Sequence, residues 1–176
     1  MKLIAIDTGS NGAIAVYENG AYTLHKLDGA EPNEWLPLLD SLFTDTADID
    51  SVIIEKPPYF MGTMIPSSRI AVLFECYGMM VGYLMARGVK SRLTIVTPQD
   101  WQRFIRDELN LKRGEMKHAE WKRTLSEYAK EKFKDIKITG QTADALLIMD
   151  WWIRHGQHNP TYTQQELVVP VKKKKK

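Results

Sequence analysis

Three carboxylates stand where a lone acid is costly. Asp7 ends the apolar run Leu3-Ile4-Ala5-Ile6, Glu55 ends Val52-Ile53-Ile54, and Asp144 sits inside Thr142-Ala143-Asp144-Ala145-Leu146-Leu147-Ile148. A carboxylate removed from water without a partner is expensive, so an acid embedded in this way emerges at an element's end or meets a cation. Oxygen-only donors suit a hard divalent ion such as Mg2+ or Mn2+. Two such ions about 3.5–4 Å apart can activate a water and relieve charge on a leaving oxygen, which is what phosphodiester hydrolysis needs. In that arrangement Asp7 bridges both ions, Glu55 holds one and Asp144 the other. Singly, each acid reads as well as a helix cap or a surface charge; together they read as a metal site.

The elements that must position these acids follow from periodicity and punctuation. Residues 2–7 are an apolar run, Thr8-Gly9-Ser10-Asn11-Gly12 is a turn cluster, and 13–17 is a second run. Asn19-Gly20 is a strong hairpin signal and leads to a third strand over 21–27. Trp35, Leu38, Leu39 and Leu42 share one face of a helix over 34–43. A buried strand over 52–55 stops at Pro57-Pro58, and Ser67 or Ser68 can cap a long helix reaching 87. A strand over 93–96 precedes a helix opened by Pro98, and further helices span 115–133 and 142–155. This order predicts an α/β fold with a mixed five-stranded sheet, its first three strands antiparallel, and helices on both faces. Asp7 and Glu55 then end neighbouring strands at the edge where sites in open sheets gather. One domain over 1–158 and a flexible basic tail over 159–176 complete the reading.

Composition narrows the classes. The net charge of the 176 residues is +2, too small for a generic basic nucleic-acid coat. Lysine and arginine nevertheless cluster over 112–137 and in the run 172–176, and such patches can meet phosphates. Cys76, the one cysteine, excludes an internal disulfide and argues against a thiolate zinc site. His25, His118, His155 and His158 have no metal-ligand spacing. Without an uninterrupted membrane-length apolar run or a signal-peptide pattern, a reducing, cytoplasmic location and no membrane are expected. The economy of length is phage-like.

The fragments Ile4-Ala5-Ile6-Asp7-Thr8-Gly9, Ile53-Ile54-Glu55, Val96-Thr97-Pro98 and Ala143-Asp144-Ala145-Leu146-Leu147, in this order, resemble the RuvC-type Holliday junction resolvases of the RNase H-like nuclease superfamily. The resemblance covers most of 1–155. It implies a homodimer that binds four-way DNA junctions and nicks two strands by Mg2+-dependent hydrolysis, a nuclease active in DNA recombination and repair. It assigns metal binding to Asp7, Glu55 and Asp144. A fourth acid or histidine is usual three residues before the last acid; Gln141 stands there, an amide that can contact Mg2+ but adds no charge. Two alternatives follow. One is a junction-binding protein with weakened or lost cleavage; the other is a nuclease of this fold acting on RNA–DNA hybrids or other branched DNA.

The same resemblance places Lys122, in Lys122-Arg123-Thr124-Leu125, near the scissile phosphate, with Lys117 and Arg113 as further DNA contacts. It also places an aromatic after the second acid, Tyr59 or Phe60, as a wedge in the junction centre. The helix from Ser67 is apolar almost all round, so both of its faces seek cover. Ile70, Phe74, Gly78 and Gly82 mark its expected contact with a second copy, the glycines permitting close approach. An acid-Thr-Gly-X-X-Gly hairpin also opens ATP-binding proteins of the actin and sugar-kinase type, but these need a second domain copy that 176 residues cannot supply.

Overall fold

Alternation of side chains along five strands divides the molecule into two apolar layers. The computed structural model describes residues 1–9, 11–58, 66–112, 114–159 and 162. The strands are β1 (Lys2–Asp7), β2 (Ala13–Glu18), β3 (Ala21–Lys26), β4 (Ser51–Glu55) and β5 (Leu93–Val96). They form one sheet in the order β3-β2-β1-β4-β5. β1, β2 and β3 pair antiparallel, while β4 is parallel to both β1 and β5. The hairpin between β2 and β3 turns through Asn19 and Gly20, both at positive φ (51° and 91°), the twist that tight hairpins favour.

The helices are α1 (Pro32–Leu42), α2 (Ser67–Ala86), α3 (Pro98–Glu108), α4 (His118–Lys132) and α5 (Ala143–Arg154). On one face Ile4, Ile6, Ile14, Val16, Val52 and Ile54 pack with α1 and α2. On the other, Leu3, Ala5, Ala13, Ala15 and Ile53 pack with α3, α4 and α5. The contrast in size is functional. Alanines on the central strands let α5 settle close to the sheet, and its residues from Ala143 to Trp152 are all buried. The far end of α5 is fastened by charge. Asp150 accepts from Lys132 Nζ at 2.8 Å and from Arg154 Nη2 at 2.6 Å, and Arg154 also bonds Glu108. One buried carboxylate thus joins α4 to α5, and Arg154 carries the link on to α3. Breaking such a pair would strand a charge.

Two expectations change. The long helix starts behind Pro66, with no side-chain cap from Ser67 or Ser68. And α2, 20 residues long with Arg69 and Glu75 its only charges, reaches a mean hydropathy of 1.3 over an 18-residue stretch, long and apolar enough to cross a membrane. Cys76, Met80 and Leu84 of the same helix are buried in the core and tie it to the sheet. Tyr59, Phe60, Arg113 and the lysine run 172–176 lie outside the described residues.

Seating α5 on small side chains has a measurable consequence. Ala5→Leu overfills the layer beneath α5 and should cost about 1–3 kcal/mol of unfolding free energy. Urea denaturation reads this; an unchanged midpoint would show that the helix is not closely seated.

Candidate active site

Strand parity aims the acids. Asp7 follows Leu3 and Ala5 by steps of two, and Glu55 follows Ile53 likewise, so both face the α5 layer. The parallel register pairs Ile6 with Ile54, which makes Asp7 and Glu55 the next residues of adjacent strands. Asp144 enters from above, in the first turn of α5, and is only 3% exposed. The β1–β2 turn is compact. Gly9 has φ +127°, and a Cβ on Gly12 would stand 2.2 Å from the Asp7 carbonyl oxygen. Glycine is therefore required directly behind the first acid. Thr8 Oγ1 donates to the Glu55 carbonyl at 3.1 Å and stitches the two strand ends together.

Neighbouring helices complete the cluster. Val96 ends β5 opposite Glu55, and Thr97 caps α3 with Asp100, whose Oδ2 accepts from the Thr97 N–H at 2.6 Å. One turn on, Trp101 Nε1 donates to Glu55 Oε1 at 2.7 Å. Trp121 Nε1 donates to Gln102 Oε1 at 2.9 Å and draws α4 onto α3, which brings the adjacent Lys122 to Asp144 in a direct ion pair. The Lys122 side chain is 46% exposed, so one end of the pair meets water.

The acids are close enough to feel one another's charge. Burial, then Glu55 and then Asp144 hold the Asp7 carboxyl well above its usual range, against the pull of Lys122. Burial likewise lifts Glu55 from its ordinary 4.5 to about 7, against the Trp101 hydrogen bond and with a further push from Asp144. Asp7 and Glu55 meet side chain to side chain, a contact that favours the proton on Asp7 and the charge on Glu55. Desolvation pulls the Lys122 ammonium down, but Asp144, Asp7 and Glu55 together push it above its ordinary value.

The donors are hard carboxylate oxygens gathered against their own repulsion, and that chemistry fits a divalent cation. Among the described residues no three acid, imidazole or thiol groups stand as a ready cation cage. Asp144 is turned to Lys122, and Asp7 to Glu55. A cation held by all three acids would have to share Asp144 with the Lys122 ammonium.

The remaining candidates are placed differently. Gln141 Nε2 donates to the Gly12 carbonyl at 3.0 Å and the Leu27 carbonyl at 2.8 Å, leaving only its oxygen for an ion. Lys117 is exposed at the start of α4 and lines a separate cleft of about 430 Å³ with Glu120 and Arg123. Asp150, six residues beyond Asp144, belongs to the Lys132–Arg154 cluster. Trp101 and Thr8 were not legible as site residues, because a tryptophan on an amphipathic helix carries no sign of a carboxylate partner 46 positions away.

No family model matches the sequence, and neither does any curated protein. Solved structures do match. RuvC of Thermus thermophilus in complex with a Holliday junction substrate is similar at TM-score 0.54 and 16% identity, over 89% of this chain and 96% of that one. A second Thermus thermophilus RuvC structure gives TM-score 0.48, 17% identity and 89% and 97% coverage. The yeast mitochondrial Holliday junction resolvase gives 0.46, 14% and 86% and 78%.

The raised carboxyls set a pH dependence. Folded Glu55 holds its proton up to about 7, whereas the unfolded chain releases it near 4.5. The folded state therefore binds more protons in that window, and stability falls as pH rises through it. In chelator, the melting temperature should fall across this window, and Glu55→Gln should flatten the fall. An equal slope in the variant would show that Glu55 is not held protonated. The mixed five-stranded sheet flanked by helices on both faces is the RuvC-type resolvase fold.

Proposed function

We propose that this chain is a structure-selective endodeoxyribonuclease that binds four-way DNA junctions as a dimer and nicks two strands by metal-dependent hydrolysis. The observation that carries the reading is the convergence of Asp7, Glu55, Asp144 and Lys122 at one sheet edge, on a fold shared with a protein solved on a Holliday junction. Asp7, Glu55 and Asp144 would hold Mg2+ or Mn2+, which when bound supplies positive charge to the phosphodiester and an activated water. The chain's own residues prepare the place. Trp101 orients Glu55. The ammonium of Lys122, held beside the site by Asp144, would steady charge on the phosphate. Lys117 and Arg123 stand on the exposed start of α4, where a phosphate backbone can be met without base readout.

A dimer is supported by α2. Ala71, Glu75, Gly78, Gly82 and Met85 are exposed at alternating spacings of four and three, opposite the buried Cys76, Met80 and Leu84. That spacing makes a straight seam for another helix. A Cβ on Gly78 or Gly82 would meet nothing within 4 Å. Ile70 and Phe74 flank the seam half-buried. A second copy laid along it would present two acid clusters to two strands of one junction.

A second reading, a junction binder that does not cut, is favoured by the Gln141 nitrogen tied to backbone and the Lys122 ammonium seated on Asp144. Labelled junctions separate the two. With Mg2+ or Mn2+ the chain should nick four-way junctions at paired positions and spare plain duplex. Asp7→Asn should still shift the junction while cutting falls by about a thousandfold, the scale of lost electrostatic stabilisation at a reacting centre. Junctions shifted but uncut by the parent chain, across divalent ions and pH, would sink the nuclease claim; preferential cutting of an RNA–DNA hybrid would move the substrate class.

The seam has its own test. Gly78→Glu keeps or improves helix propensity, yet places a charge in the contact. Light scattering should report a dimer for the parent and a monomer for the variant. A monomeric parent, or an unaffected variant, would remove α2 as the interface.

A further inference from the structure

We infer that Gln141 is a positioning residue, which pins the start of α5 to the β1–β2 turn and so fixes Asp144 relative to Asp7. This rests on the reading of the acids as a cation site. The Gln141 amide nitrogen lies between two carbonyl oxygens, those of Gly12 at 3.0 Å and Leu27 at 2.8 Å. Neither oxygen can donate, so the group facing them must be the NH2, and both of its hydrogens are spent there. The two carbonyls are themselves tied, since the Leu27 N–H donates to Gly12 O at 2.9 Å. Gly12 in turn rests on the Asp7 backbone, so closely that a Cβ would stand 2.2 Å from its carbonyl oxygen. At the other end, Thr142 follows Gln141, and its carbonyl accepts from the Leu146 N–H at 3.2 Å as α5 begins. Asp144 lies three residues after Gln141.

The path from amide to acid is therefore short at both ends. It runs from Gln141 to Gly12 and the Asp7 backbone on one side, and through one helical turn to Asp144 on the other. The bonds span 129 and 114 positions of sequence. Among the described residues the Thr142 hydroxyl bonds only with Thr139, so it does not share in this bridge. A carboxylate at position 141 could not make this bridge. It would set acceptor against acceptor.

The probe is Mn2+ alone, titrated into the full chain with free ion read by electron paramagnetic resonance. Gln141→Ala should weaken Mn2+ binding by about tenfold, the lower end of what outer-shell partners cost a metal site. In an Asp144→Asn background the same substitution should cost nothing further, since its effect passes through Asp144. Gln141→Glu, which keeps the shape and loses the N–H donors, should behave as Gln141→Ala does and serves if the alanine variant fails to fold. A purely structural role would lower the melting temperature and leave ion affinity unmoved, and that result overturns the inference. So does tighter Mn2+ binding by Gln141→Asp, which would mean that position 141 reaches the ion. Absence of Mn2+ binding by the parent chain overturns the cation-site reading itself, and the inference with it.

Discussion

Like charge confined at one sheet edge is the constraint on which the rest of this molecule turns. Two acids on adjacent strand ends face the same layer because side chains alternate along a strand, and a third descends on them from α5. Left alone they would repel and shed their charge. The structure answers with one ammonium and one indole donor. Neither removes the repulsion; each makes the cluster tolerable without filling it. The cost is visible in the carboxyls held above their ordinary range. Sites that perform chemistry commonly keep such tension where a purely structural core would relieve it.

Holding the tension requires rigid walls. The helix that delivers Asp144 is buried along nearly its whole length and lies on alanines, so it cannot slide without opening a void. Its far end is clamped through Asp150, and its near end through Gln141. The helix that delivers Lys122 is fixed by Trp121 on one side and by buried Leu125 and Ala129 on the other. Only the lysine's own chain reaches toward water. The half-exposed member of the cluster is thus the cation that sits on the buried Asp144.

Much of the fold is legible in the sequence because it rests on local signals. Period-two runs mark the strands, Asn19-Gly20 forces the hairpin, and Pro98 behind Thr97 opens α3. The acids are legible too, since each interrupts an apolar run at an element's end. What is not legible is pairing across distance. Nothing in Trp101 announces Glu55, and nothing in Gln141 announces Gly12 and Leu27, because periodicity fixes which face a side chain occupies and not whom it meets there. The first helix shows a smaller failure of the same kind. It starts at Pro32 behind Glu31, whose N–H bonds the Glu34 carboxylate at 2.9 Å, and glutamate is a poor advertisement for a cap.

The chemistry of position 141 follows from this accounting. An acid there would add a negative charge to a cluster that already pushes two carboxyls toward neutrality, and would leave the Gly12 carbonyl of the β1–β2 turn and the Leu27 carbonyl after β3 without that donor. An amide does the opposite. It adds no charge and spends its hydrogens on the turn behind Asp7, at Gly12, and on Leu27 just after β3. With every group ionised, three carboxylates and one ammonium sum to −2, the charge a single divalent ion neutralises. Charge and geometry are therefore set together at one residue, and a change there moves both.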